Sequence, residues 1–333
     1  LDAWGDAYCG KPRTSHEICI DGSYVDFGLE KLYPPDSPIL KTGLFSEPSR
    51  VLAEKGLLGR ADVYFRNSCE WMRRIRKHAF EKLRAADRVA GFDFLGDINS
   101  HWHTFGYSVG MMDEFYRLKP GETVENVLRY NSAAVLLCDL GSDFNVLAGE
   151  TKRVAISLSN YADDAKGGRL DLTLVRCEGA ASEKGVWSAT RNVGDVRNGA
   201  VARLGEFDVA VPASDRPVKY LLRASFAGGN VKAENEWEIY AFPKVGVRPA
   251  PANARVVETI GEDELVAALA AGERVVVLGA GPFNSLPTSY RIGMAGRTSG
   301  NYATVVKEGH PALAGMPHEG FCGWQFRRLM EGG

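Results

Sequence analysis

Glu17 is the residue of this 333-residue chain whose setting points most directly to chemistry. It lies in Pro12-Arg13-Thr14-Ser15-His16-Glu17-Ile18, within a short run over residues 12–20 whose β-branched and apolar residues predict a strand. The chain then enters an irregular stretch over residues 21–46. A carboxylate at the end of a strand can act as a nucleophile or a general base, and in a (β/α)8 barrel such strand ends face the catalytic mouth. The same glutamate in a solvated loop would do neither, and spacing alone leaves both readings open.

A second group of candidates follows far downstream. His101-Trp102-His103 combines two imidazoles with an indole. Imidazole donates to hydroxyls and indole stacks on a pyranose face, so a sugar subsite is one reading. A metal site is another, but two histidines at i and i+2 lack a clear third ligand, and no metal is expected. A polar surface loop is the third. Asp97 and Asn99, just upstream, could bind substrate hydroxyls or orient Glu17, and a simple loop cap suits each equally. Gly279-Ala280-Gly281 follows a strand-like run and invites a dinucleotide reading, hence an oxidoreductase. The third glycine of that fingerprint is missing and Pro282 disturbs the helix start, so no cofactor is expected.

Ser15-His16-Glu17-Ile18 resembles the nucleophile strand of family 2 glycoside hydrolases, the clan of β-galactosidases and β-glucuronidases. The run Gly91-Phe92-Asp93-Phe94-Leu95-Gly96-Asp97-Ile98-Asn99 is similar to that family's eighth barrel strand, and residues 106–115 to the segment leading into its last helix. Residues 317–322 with Trp324-Gln325 are similar to the C-terminal regions of divergent bacterial relatives. Two departures stand out: Phe94 and Leu95 occupy a run where the family carries sugar-stacking Trp, and Ile18 follows Glu17 where better-known members have Tyr. The resemblance implies a retaining glycosidase of β-linked sugars with Glu17 as nucleophile, and His16, Asp97, Asn99, His101, Trp102 and His103 as substrate contacts. Retaining enzymes need a second carboxylate as acid/base. The family places it after an Asn, and the Asn235-Glu236 pair here falls in a β-rich region where it cannot serve. The acid/base is therefore expected upstream of Leu1, and the isolated chain is expected to be inactive. A carbohydrate-binding or assembly module without catalysis is the alternative.

Elements must position these residues. The spacing of Val63, Phe65, Trp71, Ile75, Ala79 and Leu83 predicts a long helix over 61–86 whose exposed positions carry Arg and Lys. The near-continuous apolar run 89–95 predicts a buried parallel strand, and 111–118 a short helix. Residues 1–118 thus read as the last two βα units of a (β/α)8 barrel. Between 119 and 245, β-rich runs at 133–137, 153–158, 169–176, 200–211, 219–226 and 234–242 alternate with turn-forming stretches. This predicts a β-sandwich of immunoglobulin type, without its Cys–Trp–Cys signature. Residues 246–254 read as a linker, and a helix at 262–271 with a strand at 274–278 open an incomplete flavodoxin-like α/β domain over 246–333. That domain is expected to serve packing, with homo-oligomer formation as one outcome.

Bulk properties narrow the classes. A net charge of -2 provides no basic field for nucleic acid and no polybasic membrane anchor, and no apolar run reaches the roughly 18 residues of a membrane span, the longest candidate, Ala267 to Gly281, being broken by Glu273 and Arg274. A carbohydrate is the expected partner. The six cysteines are scattered without a CxxC pair, so free thiols are expected. The chain begins at Leu1 without Met and ends at Gly333 just after a patterned run, so it reads as a piece of a longer protein. The compartment is left open, a bacterial periplasmic or extracellular one suiting such an enzyme.

Overall fold

The computed structural model describes residues 35–36, 38, 46–86, 89, 91–92, 94, 97–98, 110–113, 115–141, 143–177, 183–246, 253–279, 281–282 and 309–326. Helix α1 spans Ser46–Glu54, and after a single 3-10 turn α2 runs from Ala61–Ala85. No Gly or Pro interrupts α2, and Asp62 in its first turn and Lys82 and Arg84 in its last complement the helix dipole. A short helix α3, Val124–Leu128, starts where the Thr123 hydroxyl accepts from the Asn126 amide at 3.1 Å.

Eight strands then form a β-sandwich: β1 Ala134–Asp139, β2 Asn145–Leu147, β3 Thr151–Asn160, β4 Arg169–Cys177, β5 Glu183–Asn192, β6 Ala200–Ala210, β7 Val218–Gly228 and β8 Val231–Phe242. One sheet has the order β1-β3-β6 and the other β2-β8-β7-β4-β5. All neighbours are antiparallel except β2, which lies parallel to β8. Strict alternation decides which side chains enter the core: Val218, Tyr220, Leu222, Ala224 and Phe226 of β7 point inward, and intervening residues do not. They meet Leu170, Leu172 and Leu174 of β4 and Val154, Ile156 and Leu158 of β3 in one continuous core.

The edges of the two sheets are tied together by Arg191 of β5. Its guanidinium lies 4.5 Å over the Phe207 ring of β6 and donates to the Glu206 carbonyl at 3.3 Å. Gly205 makes this approach possible, since a Cβ there would sit 1.8 Å from the Arg191 Nη1.

After the sandwich, β9 (Ala254–Val257), α4 (Glu262–Ala270) and β10 (Arg274–Val277) form a βαβ unit with the two strands parallel. The presumed linker thus runs into a strand at Ala254. Gly279, the first glycine of the supposed nucleotide motif, has a packing reason to be glycine: a Cβ would lie 2.5 Å from the Glu258 carbonyl oxygen.

The expected end of a barrel is not shown. The candidate strand 12–20 lies outside the described residues. Among the described residues between 46 and 118 there are helices and isolated bridges but no barrel strand. Val89, Gly91, Phe92 and Phe94 are not in strand, and the rings of Phe92 and Phe94 pack edge-on against Phe80 of α2 at 4.7 and 5.2 Å. Nor is 111–118 a helix. The buried Asp113 carboxylate accepts from the amides of Phe115 at 2.8 Å and Arg117 at 3.0 Å, capturing donors that a helix would use and turning the chain through Tyr116 at φ 61°. Among the described residues no helix is long and apolar enough to cross a membrane, and Cys69, Cys138, Cys177 and Cys322 are not in disulfides.

Candidate functional site at the junction of helix and sandwich

Of the catalytic and substrate-contact candidates, Asp97 is the one that lies among the described residues. It is exposed, and its Oδ1 accepts from the adjacent Ile98 amide at 2.8 Å, the loop-cap arrangement. Glu17, His16, Asn99, His101, Trp102 and His103 lie outside the described residues. The Asn235-Glu236 pair sits in β8, as its exclusion from catalysis requires: Asn235 is buried, and Glu236 pairs with Arg129 and, at 3.2 Å, with Arg223.

The densest clustering of ionisable and aromatic groups in the described residues lies where α2 crosses the sandwich. α2 directs Trp71, Met72 and Ile75 into the sandwich core. Arg74 lies three residues after Trp71, about 60° around the helix and therefore on the same face. It is 8% exposed, donates through Nη1 to Glu238 of β8 at 2.9 Å, and pairs with Glu319 and with Glu70, the latter at 3.2 Å. Lys219 of β7 reaches the other Glu238 oxygen at 2.8 Å, and the Tyr240 hydroxyl donates to Glu238 at 3.1 Å. Burial opposes ionisation of Glu238, but Arg74 and Lys219 outweigh it and hold the carboxyl down at about 2. Burial and the adjacent Glu238 charge push the Tyr240 hydroxyl well up.

Two turns further on, Glu81 is also buried. Its Oε1 accepts from Asn235 Nδ2 at 2.7 Å and from Lys77, and its Oε2 accepts from Trp237 Nε1 at 2.9 Å. Asn235 also donates to the Leu136 carbonyl at 2.7 Å, joining both sheets to the helix. Arg76, on another side of α2, pairs at 2.6 Å with Glu122. Burial raises the Glu122 carboxyl, with Arg76 opposing it.

Two cavities of about 100 and about 150 Å3 flank this junction and share His78, Glu81, Phe144 and Trp237 in their walls. The chemistry available there is cohesion. A general acid needs a raised carboxyl that can reach substrate; Glu238 is held ionised, Glu81 is engaged by three donors, and Glu122 is buried against Arg76. Among the described residues, no group of three or more His, Cys, Asp or Glu could hold a metal ion. Sequence reading placed the α2 cations in solvent, whereas Arg74 and Arg76 are buried. The helical offset of Arg74 from Trp71 and Ile75 was the signal that could have found the first of them.

A family model described as a domain of unknown function (DUF8488) matches residues 150–243, the span from the start of β3 to the end of β8. No curated protein matches. Among solved structures the chain is similar to the exo-chitosanase CsxA of Amycolatopsis orientalis at 14% identity and a TM-score of 0.33, over 51% of this chain and 18% of that one. It is similar to beta-glucuronidase 2 of Bacteroides uniformis at 16% identity and a TM-score of 0.23, over 32% and 13% of the two chains. The sporulation control protein Spo0M of Bacillus subtilis has 14% identity and a TM-score of 0.25, over 33% and 50%. The chain spans half or less of the length of each of these three. Likeness this low carries no functional argument.

Proposed function

We propose that this chain is part of a retaining glycoside hydrolase acting on β-linked sugars, with Glu17 as nucleophile. The observation that carries the reading is the order of its segments: the Ser15-His16-Glu17-Ile18 motif, then Gly91 to Asn99 about 80 residues on, then a sandwich whose strand order is of immunoglobulin type. In this reading residues 1–118 belong to a barrel domain, 119–245 form the sandwich, and 246–333 begin a flavodoxin-like domain able to associate with a second copy. Glu17 attacks the anomeric carbon as the bond to the leaving oxygen breaks. A second carboxylate, which we assign to no residue of this chain, protonates that oxygen and then activates the water that releases the sugar. His16, Asp97, Asn99, His101, Trp102 and His103 contact substrate. The sandwich buttresses the catalytic segment through α2.

A second reading, a carbohydrate-binding or assembly module, draws on the neutralised state of the buried junction carboxylates. The test is Glu17→Gln in the longest natural polypeptide containing this chain, assayed on a panel of nitrophenyl β-glycosides. Loss of turnover by several orders of magnitude with an unchanged melting temperature is expected. Near wild-type turnover of the variant, or no hydrolysis by the parent, would sink the reading.

A further inference from the structure

We infer that residues 317–326 are a latch that holds the first half of α2 against the sandwich and can open without unfolding the sandwich. Among the described residues the segment has one 3-10 turn, Trp324–Phe326, and one bridge residue, Phe321, and it belongs to none of the sheets, so its order comes largely from what its side chains grip. It grips both partners at once. Glu319 pairs with Arg74 of α2 through one oxygen and with Lys219 of β7 through the other. Phe321 is 2% exposed and lies 4.9 Å beneath the Arg74 guanidinium. Trp324 stacks on Phe144 of the sandwich at 4.6 Å and 12°, and meets Trp71 of α2 at 4.7 Å. Asn67 of α2 donates to the Gly320 carbonyl at 3.3 Å, and Asn145 of β2 donates to the Gln325 carbonyl at 3.3 Å.

These contacts fall on α2 between Asn67 and His78, and none reaches Glu81. The second half of the helix has its own anchors in Asn235, Trp237 and the Phe80–Tyr130 cluster. The junction therefore has two ends held by different sets of partners. One combines the core contacts of Trp71, Met72 and Ile75 and the Arg74–Glu238 pair with a segment nearly 80 residues beyond the sandwich. The other is built from α2 and sandwich residues, supported by Tyr130 between them. An element held mainly by side-chain contacts opens at lower free energy than the paired strands it rests on. With the latch open, α2 is expected to pivot at its Glu81 end, so that the C-terminal segment sets how firmly the N-terminal part of the chain is seated. This role is independent of the glycosidase reading.

Hydrogen exchange on the full chain tests it. Trp324→Ala should speed exchange of amides 65–75 by about tenfold or more, while 78–85 and the β7 and β8 amides change by less than about threefold. Glu319→Gln, which keeps the aromatic packing, should give a smaller rise confined to 65–75, and Trp324→Phe should restore most of the protection. No change at 65–75 in either variant would reduce the segment to a passive cover. An equal rise across α2, β7 and β8 would make the whole a single cooperative unit. Either result overturns the latch.

Discussion

The sandwich core and the face of α2 are both buried, but by different physics. β4 and β7 enter the core through alternating Leu, Val, Ala and aromatic side chains, with nothing polar to satisfy on that face beyond a tyrosine hydroxyl. α2 enters the same core through Trp71, Met72 and Ile75 but carries Arg74 and Glu81 in with them. Apolar burial tolerates small changes of position, because it depends on area and packing. A buried ion pair costs several kcal/mol of desolvation per charge and repays it only in one geometry, so it fixes register more than it adds stability. The sandwich supplies bulk stability; the junction specifies how the helix sits on it.

The largest expected effect comes from breaking the junction. Arg74→Ala leaves Glu238 and Glu319 with Lys219 as the remaining cation of this network, and should cost about 3–5 kcal/mol by denaturant unfolding. Adding Glu238→Gln should recover a substantial part of that loss, because most of the cost is the stranded carboxylate. If the double variant recovers nothing, the loss was packing of the guanidinium on Phe321, and the contrast between the two regions weakens.

The matching test in the sandwich is Leu172→Ala. Leu172 is 1% exposed in the middle of β4, so the substitution should cost about 2–5 kcal/mol through lost transfer energy and a residual cavity. It creates no stranded charge, so Glu238→Gln should not rescue it. Rescue would mean that the two regions are energetically one.

The same contrast explains what could be read from sequence. The runs inside β3, β4, β6, β7 and β8 were legible because alternation survives in much of each strand, and β1 because Ala134 to Leu137 is a continuous apolar run. β5 was not: it is an edge strand, Glu183 to Asn192, whose outward positions are polar and whose only large apolar side chains are Val186 and Trp187. β2 has three residues and exists through its pairing with β8. Met111, Met112, Phe115 and Leu118 mimic a helical stripe, but the Asp113 side chain takes the local amides first. At the junction, long-range partners decide the outcome. Nothing near Arg74 in sequence announces Glu238 or Glu319, which lie 164 and 245 positions away. Of the site candidates, Asp97 accepts from its neighbour Ile98, and all of them remain proposals.

The smallest expected effect is the acid limb of stability, and it isolates the junction without a substitution. Burial raises the Glu238 carboxyl, but Arg74 and Lys219 outweigh it and bring it down to about 2 from the ordinary carboxylate value. A folded-state value below the unfolded one means that the unfolded chain binds the proton first as pH falls. The contribution of Glu238 is therefore whole above the unfolded value, near pH 4.5, and is lost as pH drops toward 2. At about 1.4 kcal/mol per pKa unit, this group contributes up to about 3 kcal/mol across that window. In Glu238→Gln the acid limb should be shallower by about that amount between pH 4.5 and 2, while the slope above pH 5 stays as in the parent. An unchanged acid limb would mean that Glu238 titrates normally in the folded chain, and that the ion pairs with Arg74 and Lys219 do not govern the junction.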